Sequence, residues 1–177
     1  MLIRHNSLVS KPFLRSSLLL QICYRPVKPL GAVISQKSYD FWQFKCYDPS
    51  GTGGGIHEWY DGLSEDVRAQ IDAAIEVLAI TRTWDREAIY EDLRGACDGL
   101  GEIRIDVPKG PGEQNGSGPF HLYRILGFAG PGRREFTLLC GFKKDGTFDY
   151  GPACASAHRR KEGVTKDGRK APSCRFP

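Results

Sequence analysis

Acidic residues are missing from the first 39 positions of this 177-residue chain, where six Lys and Arg give a net charge of +6. Residues 40–149 carry −7 and residues 150–177 carry +5. The overall +4 therefore excludes a general polycation that coats nucleic acid and points to local placement of cations. Long hydrophobic runs are lacking too. The longest, Leu18–Leu20 followed by Ile22 and Cys23, is broken by Gln21 and preceded by Arg15. It is too short to span a membrane and poor as a secretory core. The six cysteines include no C-x-x-C pair and no nearby histidines, so neither a metal nor another cofactor is expected. An even count is compatible with disulfides, but nothing else marks a secreted scaffold. A reducing cytoplasm is the expected setting, with Cys140 a small core hydrophobe.

Two catalytic signatures fail on single residues. Gly51–Gly55 suggests a phosphate loop, but Ile56, His57 and Glu58 stand where Lys and Ser or Thr should follow. His57–Glu58 suggests a zinc protease, but Asp61 holds the position of the second histidine. A flexible strand-to-helix loop is the better reading of both.

What is present reads as an α+β chain. Residues 1–38, rich in Arg and Ser and broken by Pro26, Pro29 and Gly31, form an expected disordered N-terminal extension of the kind an upstream start codon would add. Residues 39–162 are the folded domain, and 163–177 are expected to be a basic flexible tail. Tyr39–Tyr47 alternates like a strand. Ile56–Leu63 is a short helix. Ser64 caps a longer one, in which Val67, Ile71, Ala74, Ile75 and Leu78 share a face. Trp84–Tyr90 suggests a further helical turn. Ile103–Val107 alternates apolar and charged residues, and Phe120–Phe128 and Arg134–Phe142 are further strands, with a loop at Pro108–Pro119. A short helix over Pro152–Glu162 ends the domain. The order implies a four-stranded antiparallel sheet with the helix pair packed on one face.

Cations recur at the strand ends. Arg104 shares the wet face of its strand with Glu102 and Asp106, where a cross-strand ion pair is the plainer reading. Arg124 lies among Leu122, Leu126 and Phe128, where an unpaired charge is costly. Lys143 and Lys144 end the last strand, Tyr150 follows closely, and His158, Arg159, Arg160 and Lys161 lie on the final helix. Such cations beside a phenol or imidazole suit a phosphodiester.

In order, EWYDGL, the amphipathic helix, LRGACDGLGEIRI, HLYRIL, FTLLCGFKKD and ASAHRRK resemble the RelE/HigB superfamily of type II toxin–antitoxin toxins, in its phage-derived HigB-like branch. The resemblance spans roughly residues 39–162. It implies a metal-independent endoribonuclease cleaving mRNA, commonly on the ribosome, and neutralised by a cognate helix-turn-helix antitoxin. It further implies catalytic roles for Arg104, Arg124, Lys143 and Lys144, with Tyr150 or His158 as acid/base and Arg159, Arg160 and Lys161 on RNA. Glu102 stands where some relatives carry another cation. The alternatives are a ParE-like gyrase inhibitor that performs no chemistry, or an inactive antitoxin-binding protein. Arg124→Ala is expected to abolish cleavage with stability roughly intact, unless Arg124 serves a structural pair with Glu102 or Asp106.

Overall fold

Aromatic and β-branched runs make the strands of this chain, and its alanine-rich, periodic stretches make the helices. The computed structural model describes residues 41–51, 55–110, 113, 118–146 and 148–176. The expected extension over 1–38, the centre of the Gly-rich loop and most of the Pro108–Pro119 loop lie outside the described residues. Contacts divide the chain into two units, Met1–Gln36 and Lys37–Pro177.

The elements run β1 (Gln43–Cys46), α1 (Ile56–Asp61), α2 (Glu65–Ile80), β2 (Tyr90–Asp92), β3 (Gly101–Pro108), β4 (Phe120–Ala129), β5 (Glu135–Lys144) and α3 (Tyr150–Lys166), with 3-10 turns at Gly95–Cys97 and Gly168–Lys170. The α+β class is as expected, but the sheet has five strands in the order β1-β5-β4-β3-β2. β3, β4 and β5 form the expected antiparallel meander, whereas β1 pairs parallel with β5. The all-antiparallel expectation fails there because the helix pair carries the chain across the sheet. It enters β2 at the far edge, and the meander returns β5 to β1 in the same direction. Over Trp84–Tyr90, where a further helical turn is expected, two hydrogen-bonded turns stand, Glu87 N to Trp84 O at 3.0 Å and Tyr90 N to Glu87 O at 3.1 Å, and β2 follows them. Its start is pinned by Trp84, buried among Trp42, Phe44, Tyr90 and Phe136, with Nε1 donating to the Leu78 carbonyl at 2.9 Å.

Apolar layers cover both faces of the sheet. α1 and α2 cover one, where Val67, Ile71, Ile75 and Leu78 meet Ile103, Ile105, Ile125 and Phe136. Trp59 of α1 lies so close over Gly141 that a Cβ there would sit 2.4 Å from the indole. α3 covers the other, packing Cys154, Ala157 and Val164 on Leu126, Phe128 and Leu139. It is longer than expected at both ends. Asp149 caps it, accepting from Gly151 N at 2.8 Å, and Pro152 falls in the first turn, where a missing N–H costs nothing. Val164, buried to 1% exposure, carries it past Glu162.

The basic tail is likewise corrected: it has an apolar side and a job. Residues 170–174 run along the outer edge of β1, with Cys46 N donating to Pro172 O at 2.9 Å and Asp48 N to Lys170 O at 2.8 Å. Phe176 is buried and stacks on Tyr60, ring centroids 4.1 Å apart. Arg175 N donates to His57 Nε2 at 3.2 Å, so that nitrogen accepts. Burial, then the Arg175 charge, lowers the His57 pKa. Four cysteines placed by the sequence in a reducing setting are paired here, Cys46–Cys174 and Cys97–Cys154, with Cα separations of 4.9 and 5.2 Å. Cys140, free and half-buried, packs beside Leu139. No helix among the described residues is long and apolar enough to cross a membrane.

The tail should therefore contribute measurable stability. Phe176→Ala is expected to lower unfolding stability by about 3 kcal/mol. Losing the Cys46–Cys174 closure by Cys174→Ala should lower it by about 2–4 kcal/mol. Urea unfolding under oxidising conditions checks both, and wild-type midpoints in both variants would mean that the tail does not hold the fold.

Candidate active site

The register of three strands decides which cations can meet. Arg104 stands directly opposite Arg124, and Arg124 opposite Phe142, while Asp106, Leu122 and Lys144 form the next row. These two rows share the sheet face that carries α3, since the intervening Ile103, Ile105 and Ile125 pack under α1 and α2. A bulge where β4 passes from Leu126 to Gly127 adds one residue to β5. It shifts the alternation so that Phe142 and Lys144 come beside Arg124. Lys143, opposite Tyr123, falls on the other face. Lys143 is thus separated from the cluster.

Tyr150, at the first turn of α3, joins this face by packing on the Leu126 side of the core. The Lys144 ammonium lies 5.2 Å from its ring centroid. Its hydroxyl pKa is pushed up to about 12, by burial first and by the neighbouring Glu102 carboxylate next, against the pull of Arg124. His158 is eight residues further along α3, roughly 12 Å at the rise of a helix. Its Nε2 donates to the Ala96 carbonyl at 3.1 Å, so it belongs to the contact with the Gly95–Cys97 turn and not to the cluster. Arg160 donates to the Leu139 carbonyl at 2.7 Å and lies over the Tyr47 ring. Lys161 donates to the Gly99 carbonyl at 2.8 Å and lies over Phe128. Both hold α3 to the body, and of the basic run Arg159 is the exposed member.

Glu102, noted in the sequence only as a departure, is the centre of the cluster. It is buried to 2% exposure, 3.1 Å from Arg104 Nε and 3.5 Å from Arg124 Nε. Arg124 is also buried, 2.8 Å from Asp106, and donates to the Tyr123 carbonyl at 2.7 Å. Arg104 pairs in addition with Glu91 at the mouth. A strand that alternates Glu102, Arg104 and Asp106 opposite a lone Arg124 was the available signal for this network. The signal came without register. Arg104 and Arg124 thus face three carboxylates, Glu91, Glu102 and Asp106, and Lys144, over the Tyr150 ring, brings the site to formal charge balance. A cleft of about 770 Å³ opens over it, reached by Arg104, Arg124 and Lys144 on one wall and by Gln70, Ala73 and Val77 of α2 on the other. Among the described residues no group of three or more His, Cys, Asp or Glu is placed to hold a metal ion.

Comparison with protein-family models, with curated proteins and with solved structures gave no match.

The two arginines should behave differently. Arg124→Ala leaves the buried Glu102 with Arg104 alone and takes away the buried partner of Asp106; it is expected to cost about 3–5 kcal/mol, against the unchanged stability expected from the sequence. Arg104→Ala, at a site 38% exposed, removes the 3.1 Å hydrogen bond to Glu102 while Arg124 stays beside it, and should cost less, about 2 kcal/mol. Thermal and urea unfolding separate them; equal losses would mean that the two arginines carry the same structural load.

Tyr150 should also titrate late. Its contribution to stability is complete below about pH 10, the unfolded value, and is lost as pH rises toward about 12. Ultraviolet titration of the wild type against Tyr150→Phe checks this. A difference transition near pH 10 would show the phenol to be solvated.

Proposed function

We propose that the chain is a toxin of the RelE/HigB kind, cleaving mRNA without a metal at the Arg104–Arg124–Lys144–Tyr150 surface, in the cytoplasm and under control of a helix-turn-helix antitoxin. One observation carries this reading: the strand register sets Arg104 and Arg124 side by side on a face that also holds Lys144 and Tyr150. In the proposed reaction a 2′-hydroxyl attacks the adjacent phosphorus, and the bond to the 5′ oxygen breaks. The products are a 2′,3′-cyclic phosphate and a 5′-hydroxyl end. Glu91 and Asp106, each about half exposed, are the carboxylates available to take the 2′ proton. Arg104 and Lys144 stabilise the phosphorane, with Arg124 fixing Glu102 behind them. Tyr150, protonated throughout the physiological range, delivers a proton to the leaving oxygen. Substrate phosphate exchanges with Glu91 on the exposed side of Arg104. In a reducing cytoplasm, burial of both Cys97 and Cys154 shields that disulfide from attacking thiolates.

The charge balance favours a second reading, binding without chemistry. Both arginines already face carboxylates, which suits a protein that docks a partner, as a gyrase-directed toxin or an inactive antitoxin-binding protein would.

Purified protein incubated with a labelled oligoribonucleotide in EDTA separates the readings. Cyclic-phosphate ends are expected, with the rate falling about 100-fold in Arg104→Ala and by about 100-fold or more in Tyr150→Phe. Intact RNA, or undiminished cleavage in both variants, removes the nuclease reading from this surface. Arrest of replication on induction, with RNA intact, would then select the gyrase-directed alternative.

A further inference from the structure

The two edges of the sheet are treated differently. The outer edge of β1 is covered by the chain's own 170–174 segment. At the other edge β2 covers only Gly101–Ile103, and the last bond across it runs from Arg104 N to Ile89 O at 2.8 Å. Beyond that point the β3–β4 register turns the Ile105 and Val107 backbone groups inward to β4. The N–H and C=O of Asp106 therefore point outward. Among the described residues no strand pairs with them. The 770 Å³ cleft follows this open edge, with Ile105 and Asp106 on one side and Ala73 and Val77 of α2 on the other. Val77 is 45% exposed there, next to the buried Leu78 of the same helix.

We propose that β3 from Arg104 to Pro108 is a docking edge for an extended peptide of apolar–basic–apolar sequence from a partner protein, added antiparallel in the row that β2 vacates. The pleat sets the pattern. Partner residues opposite Ile105 and Val107 point toward α2 and must be apolar to cover Ala73 and Val77. The residue between them stands opposite Asp106, whose carboxylate holds Arg124 at 2.8 Å on its inner side and is half exposed on the other, and a lysine there shares it in a cross-strand ion pair. It exchanges two backbone bonds with Asp106. Pro108 and the Asp106 charge are devices that keep an edge from indiscriminate pairing, and Pro108 limits the ladder to a short segment. An apolar wall alongside is what a merely protected edge lacks. The proposal does not rest on RNA cleavage, but a strand laid here lies across Arg104 and would exclude an RNA from that side of the cleft.

The test uses the full chain, isotope-labelled, and a blocked peptide of alternating valine, lysine and valine flanked by threonines. Saturable binding should protect the Asp106 amide from hydrogen exchange. N-methylation of the peptide lysine should weaken binding about tenfold, as should Val77→Asp, which leaves the melting temperature unchanged. No binding, equal binding of the N-methylated peptide, or undiminished binding to Val77→Asp would each overturn the proposal.

Discussion

A guanidinium with 6% exposure can stay in the interior only beside opposite charge, and that constraint organises the site face of this protein. Arg124 is held by Glu102 on one side and Asp106 on the other, and Glu102 in turn binds Arg104. The network joins two strands and sets the surface on which Tyr150 rests. It also spends most of the positive charge locally, so the surface presents oriented donors and not an electrostatic magnet. Any anion that binds must displace a carboxylate or be met by Lys144, whose ammonium lies over the Tyr150 ring and, among the described residues, pairs with no acid. This favours a ligand recognised by geometry over one captured by long-range attraction.

The same network explains how much could be read from the residues alone. The core face of α2 was legible because a 3.6-residue period needs no knowledge of the partner surface. The alternation of β3 was legible for the same reason. Which of Lys143 and Lys144 joined Arg124 was not, because a one-residue bulge in β5 inverts the pleat beyond it. Nor could the sequence separate Tyr150 from His158, since both lie on α3 and the distinction is axial distance along it. The parallel pairing of β1 was hidden as well. It depends on where the helix pair delivers the chain, a property of the whole connection and not of the strand.

The cysteines show a different limit. Cys46 and Cys174 are 128 residues apart, and Cys97 and Cys154 are 57 apart. No local spacing rule reaches across such intervals. Both pairs nonetheless do one kind of work: each fastens a late segment to an early one. Cys174 holds the tail against β1, and Cys154 holds α3 against the Gly95–Cys97 turn, four residues past the candidate acid Tyr150. Arg160 and Lys161, read as groups for RNA, reinforce the same seam by donating to the Leu139 and Gly99 carbonyls. A basic run on a helix can thus be spent on backbone acceptors that no sequence pattern reveals.

Fastening of that kind bears on which surfaces remain free to act. With the tail on β1 and α3 on one sheet face, the outer length of β3 and the mouth at Arg104 are left as neighbours along one cleft. A group that engages the backbone of Asp106 and a group that engages the Arg104 guanidinium would then lie within a few residues of each other. Binding at one would alter access to the other with no change of fold. Inhibition by a partner strand therefore needs no transmitted conformational change. It requires only that both ligands claim the same few ångströms of the edge.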